Sequence, residues 1–344
     1  MQVPQTKECT LAAIAVEDEY VLATTAIGQI ISGDENREII GKFIYKKVSA
    51  PKKIIRSAKK YEFLREDGDF TSSVLVNIVS DFWNDAKKVC PSVLGISTFG
   101  SIDINQCLIN HTPSRGPNSG KKVQLDIKNS LKNLDIPIAV DNDATAAAVG
   151  EYAFGVGRYH HSDSQHAFAY VWAGRGINAG IVINGAPWQG NLHPEVGHLV
   201  AKRYEKGGVV DTHPGNCGLH GDCLNGLAGY RSIEERVRNF GWSEDEAVDA
   251  VSYYIAQICS ALTLTVAPRR IIIGGITIRA YQENNIIEKI RHHYIGMVRG
   301  FPGYDEYRIV KNIIVESVLG DNASLLGILD ISRMKIFPDL KPTF

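Results

Sequence analysis

The chain has 344 residues, 44% of them hydrophobic and 22% charged, with a formal net charge of −1. That length suits two domains of ordinary size around a substantial apolar interior, and the composition excludes disorder as the main state. A balance this near zero supplies no basic field for nucleic acid, no apolar run approaches the ~20 residues of a membrane span, and six scattered cysteines do not make a disulfide framework.

The N-terminus, MQVPQTKECT, has neither the basic nor the apolar region of a secretory signal, and with the cysteine usage this points to the cytoplasm. Residues 10–16 (TLAAIAV) and 20–26 (YVLATTA) read as two short strands around Glu17-Asp18-Glu19, the start of an antiparallel meander. Between residues 70 and 89, Val74, Val76, Ile78, Val79 and Phe82 fall on one broad helical face. Residues 94–98 (LGIST) make a buried strand ending at Phe99-Gly100. Residues 136–140 (IPIAV) make another, which runs straight into an alanine-rich helix.

Residues 168–174 and 177–183 pair as strands across a glycine turn, and Asn184-Gly185 signals the next tight turn. Ser243 and Glu246 form a capping box for a helix whose Val248, Val251, Ile255, Ile258 and Leu262 step by three or four. Pro268 ends it, residues 270–275 (RIIIGG) are a further strand, and residues 322–334 a closing helix. No internal repeat is present. The pattern is that of an α/β protein with glycines at strand ends, where backbone amides can approach a phosphate.

Four constellations could carry chemistry. Cys217, His220 and Cys223 are spaced by three, so that one tight loop can aim three ligands at a common point. Zinc favours four, and His193, His198 and His213 are the upstream choices for the fourth. The plain alternative is a polar loop with unligated thiols. Asp141-Asn142-Asp143 lies between a strand and a helix, where a carboxylate suits a general base and an Asn or Asp equally suits an N-cap. Glu195 and His198, three apart, can face one polyol-binding pocket or serve the structure alone. Gly174-Arg175-Gly176 and Gly274-Gly275 each follow a strand and can cradle phosphate or simply turn the chain.

In this order the segments LGISTFGSID (94–103), AVDNDATAAAVGEYAFG (139–155), GRGINAGIVINGAPWQGNLHPEVGH (174–198), NCGLHGDCLNGLAG (216–229), APRRIIIGG (267–275) and LGDNASLLG (319–327) resemble the ROK family of sugar kinases and repressors, and within it the zinc-containing fructokinase-like branch. The resemblance covers most of the chain from about residue 90 onward. It implies an α/β, two-domain, actin-like ATPase (ribonuclease H-like) fold with a zinc-bound loop. Residues 1–140 would form a smaller N-terminal domain lacking most of the usual first strand, and residues 141–321 a larger C-terminal one. The helix at 322–334 would return to the N-terminal domain.

The same resemblance implies roles. Asp143 matches the base that deprotonates the accepting sugar hydroxyl, Asn142 and Glu195 match sugar ligands, and His198 lies near both sugar and zinc. With Cys217, His220 and Cys223, His198 would complete a structural zinc site. The partners implied are a hexose or hexose derivative and ATP with magnesium, in a chain that is often a homodimer in this family. Thr6, Lys7, Gly174, Arg175, Gly176, Gly274 and Gly275 match the nucleotide side.

There the sequence departs from the family, which begins with a strand and the phosphate loop D-x-G-G-T-K. Only Thr6-Lys7 match in MQVPQTK, Arg175 replaces a compact hydroxyl, and Asn225 stands where many members have a sugar-binding glutamate. Two readings compete: a hexose kinase with an altered nucleotide site, or a kinase-inactive protein that binds sugar or acts in assembly. A sugar-responsive repressor is disfavoured, because the chain starts too late to hold the extra DNA-binding module.

Overall fold

The computed structural model describes residues 6–16, 20–31, 42–45, 59–62, 72–111, 123–159, 166–301 and 306–337. The first half of the chain builds strands β1 (Thr6–Val16), β2 (Tyr20–Ile31), β3 (Lys42–Tyr45) and β4 (Lys59–Glu62), helix α1 (Ser72–Ala86), then β5 (Val93–Thr98). A small meander of β6 (Ser101–Asp103), β7 (Leu108–His111) and β8 (Val123–Asp126) leads through the short α2 (Ile127–Ser130) to β9 (Ile138–Asn142) and α3 (Asp143–Phe154). Strands β1, β5 and β9 run parallel in the order β3-β2-β1-β5-β9, with β4 also on β2.

The second half continues with β10 (Ala167–Ala173), β11 (Ile177–Ile183), β12 (Ala186–Pro187), β13 (Glu205–Lys206) and β14 (Val209–Val210). Helices α4 (Leu224–Ala228), α5 (Tyr230–Phe240) and α6 (Glu244–Val266) precede β15 (Arg270–Gly274). Then come α7 (Ile276–Ala280), α8 (Ile286–Met297), α9 (Tyr307–Ile313), β16 (Ile314–Glu316) and α10 (Ala323–Ile336). The second sheet has the order β12-β11-β10-β15-β16.

Alternation of apolar side chains along the strands sets the layers. Ile14, Leu94 and Ile96 pack on Ile78, Val79 and Phe82 of α1, whereas Leu11, Ala13 and Ala15 face Leu325, Ile328 and Leu329 of α10. In the second sheet Phe168, Tyr170 and Trp172 pack against Ala144, Ala147 and Ala148 of α3, and Ala169, Val171, Ile271 and Ile273 face α6 and α8. Helices α3 and α10 therefore lie between the two sheets.

Helix α6 opens on the capping box expected from Ser243 and Glu246. At 23 residues it is long and apolar enough to cross a bilayer, which corrects the expectation that no such segment exists. However, 72% of its most apolar window is buried, as in a core helix.

The N-terminus also differs from expectation. The strand expected at residues 10–16 is present as β1 and starts earlier, at Thr6: eleven residues, paired with β2 by antiparallel register and with β5 by parallel register. Residues 1–5 lie outside the described residues, as does Phe70, where the first helical pattern was expected to begin.

Glycine permits the closest approaches around α3. A Cβ on Gly327 of α10 would collide with the Ala146 carbonyl, and one on Gly180 of β11 with the Ala144 carbonyl. Backbone cannot yield as a side-chain tip can. Gly327→Ala is expected to destabilise the protein by about 3 kcal/mol through overpacking, read as a lower urea midpoint, while Ala substitution at the exposed Gly296, which meets no atom within 4 Å, should shift it far less.

Candidate functional site

Parallel strands bring their carboxyl ends to one edge. Ala15 pairs with Ser97 and Ser97 with Asp141, so the ends of β1, β5 and β9 lie side by side. At this edge Asn142 ends β9 and caps α3, its Oδ1 accepting from the Ala144 amide at 3.0 Å and its Nδ2 donating to the Gly100 carbonyl at 3.2 Å. Asp143 is the first residue of α3, buried, with Oδ1 held by the Ala144 amide at 2.8 Å. Thus the cap is Asn142, and Asp143 is left beside the amino end of a twelve-residue helix, whose dipole favours a carboxylate.

Glu195 reaches the same edge from the second half of the chain. Its Oε1 accepts from Ser101 Oγ at 2.6 Å and its Oε2 from Asn178 Nδ2 at 3.1 Å. His193 Nε2 lies 3.1 Å from Oε1 as an ion-pair contact, although its ring makes no aligned hydrogen bond among the described residues. Burial opposes ionisation of Glu195, but His193 and Ser101 outweigh it and hold the carboxyl below its ordinary pKa.

Sequence reasoning assigned no role to Ser101, Asn178 or Gln189, and offered Asp141 only as one member of the Asp141-Asn142-Asp143 junction. Asp141 is fully enclosed, its oxygens accepting from the Asn142 amide and from Gln189 Nε2, each at 2.7 Å. Desolvation pushes its pKa up to about 6 against these bonds and the nearby His193. The first two partners sit 94 and 17 residues from Glu195, and Gln189 sits 48 from Asp141, too far along the chain for spacing to reveal them.

The Cys/His loop closes on itself through Cys217 N to Gly221 O at 3.1 Å and Gly221 N to Cys217 O at 3.0 Å. His198 joins it because residues 199–200 run against Cys223 and Leu224, with Leu224 N donating to Leu199 O at 3.1 Å. His198 Nδ1 lies 3.6 Å from both Cys217 Sγ and Cys223 Sγ and 3.2 Å from His220 Nδ1, and His220 Nδ1 lies 4.0 Å from Cys217 Sγ. A zinc tetrahedron with bonds of about 2.0–2.3 Å has edges of about 3.3–3.8 Å, so the four donors fit that ion in type and spacing.

The two thiols share a proton. Cys217 is driven down first by its bond with Cys223 and then by His198, and Cys223 is driven up. Metal would take the place of that proton.

Of the other two histidines, His193 belongs to Glu195. His213 is buried and pairs through Nε2 with Glu235 at 3.0 Å, while Nδ1 accepts from the Gly215 amide. His213 therefore braces the base of the loop rather than joining the cluster. On the far side of His198, Nε2 lies 3.9 Å from Glu195 Oε2.

The glycine turns come together at the end of the second sheet. Trp172 of β10 pairs with Gly274 of β15, so Gly174-Arg175-Gly176 and Gly274-Gly275 leave neighbouring parallel strands, and Thr277 Oγ1 ties them by donating to the Gly174 carbonyl at 3.1 Å. Asn225 is turned to the backbone, accepting from the Ile177 amide at 2.8 Å.

Thr6 and Lys7 are not brought to the site. They begin β1, and ten steps of about 3.3 Å separate Thr6 from the Val16 end that lies beside Asn142. Matching the letters T-K placed them at the wrong end of the strand.

A model of the ROK family matches residues 55–335. A fructokinase of Lactococcus lactis subsp. cremoris is 34% identical over 219 residues, 61% of this chain and 69% of that protein. Among solved structures, the ROK hexokinase of Thermus thermophilus superposes with a TM-score of 0.63 at 19% identity, covering 96% of this chain and 99% of that one. A ROK family glucokinase of Streptomyces griseus, in complex with glucose and AMPPNP, gives a TM-score of 0.61 at 17% identity over 94% and 99%. The fold is the two-domain actin-like ATPase fold.

Asp141 supplies a pH test. Its raised pKa means that the folded chain keeps a proton the unfolded chain has lost, so this group lowers stability as pH rises from 3.8 to about 6 and then levels off. Asp141→Asn keeps acceptor and donor atoms but not the charge. The variant should gain about 1–3 kcal/mol over the parent above pH 6 and nothing near pH 4, read from paired urea titrations.

Proposed function

The chain belongs to the ROK family, and we propose that it binds a hexose at the edge formed by Asn142, Asp143 and Glu195 and phosphorylates it with ATP. The observation that carries this reading is the convergence of those three residues from opposite halves of the sequence on one strand-end edge, with Glu195 ionised and Asp143 at a helix start. The fructokinase relatives support a hexose as acceptor. In this reading the two domains meet near residue 140, and α10 returns to the first sheet, where it packs on β1 and β5.

Asp143 would take the proton from the sugar hydroxyl as that oxygen attacks the γ-phosphorus. The bond from phosphorus to the bridging oxygen breaks, and ADP leaves. Transfer of this kind rests on positioning and charge neutralisation, with magnesium on the donor phosphates. Asn142 and Glu195 would orient the sugar. The glycine turns after β10 and β15, brought together at one end of the second sheet, are the part of the structure suited to the nucleotide.

His198, Cys217, His220 and Cys223 would hold zinc, with a histidine nitrogen or cysteine sulfur at every corner and none left open. The metal's contribution when bound is to fix geometry. His198 then presents Nε2 toward Glu195, and a ligating histidine paired with a carboxylate orients both groups. We infer a cytoplasmic setting, the one in which free thiols of this kind persist.

A specific observation favours a second reading, sugar binding without turnover. The strand β1 ends at Val16 and continues in sequence as Glu17-Asp18-Glu19 before β2, a connection that lies outside the described residues. It has three carboxylates and no glycine, whereas a phosphate-binding connection needs close backbone approach and positive potential.

A coupled ADP-release assay over fructose, glucose and mannose decides between them. Asp143→Asn should lower kcat by about 10²-fold or more, the loss of a general base. Parent turnover no higher than that of Asp143→Asn with every sugar would remove the kinase reading. Thermal stabilisation by a hexose alone would then uphold the binding one. Purified protein should carry about one zinc per chain, since such sites bind tightly, and Cys217→Ser should lose it and weaken hexose binding together.

A further inference from the structure

One oxygen of the Glu195 carboxylate is already engaged by a hydroxyl of the protein. Each oxygen of an ionised carboxylate takes about two hydrogen bonds. Oε1 accepts from Ser101 Oγ at 2.6 Å and has His193 Nε2 3.1 Å away as an ion-pair contact, while Oε2 accepts from Asn178 Nδ2 at 3.1 Å.

Ser101 comes from the other side of the edge. It opens β6 directly after Gly100, the residue whose carbonyl receives Asn142 Nδ2. Its side chain thus stands where Asn142 and Glu195 converge. Chemically, a serine CH₂OH is a primary alcohol with one donor and two acceptor positions, the same group that a hexose presents. The bond is short and charge-assisted, which places it among the stronger hydrogen bonds.

The contact also spans the halves of the molecule. Ser101 follows β5 of the first sheet, and Glu195 lies in the segment after β12 of the second. A second bridge, Gln189 to Asp141 at 2.7 Å, crosses in the same direction six residues upstream of Glu195.

We propose that Ser101 is a substrate-mimicking residue whose hydroxyl fills the sugar-hydroxyl position on Glu195 Oε1 and latches the segment around residues 189–199 to the first sheet until a ligand hydroxyl displaces it. The inference rests on the hexose reading of Glu195 given above. Binding then exchanges one O–H···O⁻ bond for another, so the protein's own hydroxyl subtracts from the affinity that Glu195 can contribute.

Three variants test this: Ser101→Ala, Ser101→Thr, which keeps the hydroxyl, and Glu195→Gln, which weakens the bond from the other partner. Amide hydrogen exchange over residues 189–199 is measured without sugar, and the Kd for fructose, glucose and mannose by calorimetry. Ser101→Ala should speed exchange in that segment and tighten the Kd of any hexose that binds by about tenfold, the worth of one hydrogen bond to a charged group. Ser101→Thr should match the parent, and Glu195→Gln should speed exchange while losing hexose. Unchanged exchange in both Ser101→Ala and Glu195→Gln overturns the latch. Weaker hexose binding by Ser101→Ala overturns the competition, since Ser101 would then be a ligand of the sugar. Faster exchange with no hexose bound by parent or variant upholds the latch and removes the hexose reading instead.

Discussion

Helix α3 can lie between the two sheets only because its residues are small. Its core positions include Ala144, Ala146, Ala147 and Ala148, and the elements it meets are pared back to glycine at Gly180 and Gly327. Backbone therefore approaches backbone on both sides, and the helix has little freedom to shift or rotate. Close-packed interiors transmit such constraints because they leave no space to deform into. The helix begins at Asp143, so the packing that locks its middle also fixes its first turn. A reacting group misplaced by about 1 Å can cost two orders of magnitude in rate. The alanine-rich sequence serves the candidate base as much as it serves the core.

The second fixed point is built differently. The segment from His193 to Cys223 is mostly irregular, and short-range bonds and side-chain pairs hold it in place of a sheet. Asp211 is central to this: Arg236 Nη2 and Tyr254 Oη each approach its Oδ2 at 2.6 Å, and its Oδ1 receives the His213 amide at 3.0 Å. Glu235 then receives both His213 and Asn216. These buried pairs fasten the base of the Cys/His loop to α5 and α6. Cys217, His220 and Cys223 gather around His198, and His198 stands behind Glu195. The loop is thus tied at both ends, with Glu195 packed beside His198.

How much of the site is legible in the sequence depends on how far apart the interacting residues are. Ser243 and Glu246, or Cys217, His220 and Cys223, interact within one turn or one loop, so spacing alone exposes them. His198 needed the family resemblance, because two other histidines offered the same chemistry at similar distance along the chain. The structure separates them by burial and partner: His193 beside Glu195, His213 on Glu235. The contacts of Ser101, Asn178 and Gln189 arise from folding two sheets toward each other, and no local pattern encodes that. The N-terminus shows the opposite error. Thr6-Lys7 matched a motif by letter, but a strand has two ends, and only the pairing of β1 with β5 reveals which one faces the site.

With β1 in register, the features of the site divide by position. The sugar-side residues depend on α3, β9 and the segment around Glu195, all fixed by packing or by hydrogen bonds that span the two halves. The glycine turns proposed for the nucleotide depend on β10 and β15. The hydrogen bonds given for Asn142 and Glu195 run instead to Gly100, Ala144, Ser101 and Asn178. The proposed hexose binding and the proposed phosphoryl transfer therefore draw on different elements of the fold. Loss of the second would leave in place the residues proposed for the first, including the Cys/His loop and the serine hydroxyl held against Glu195.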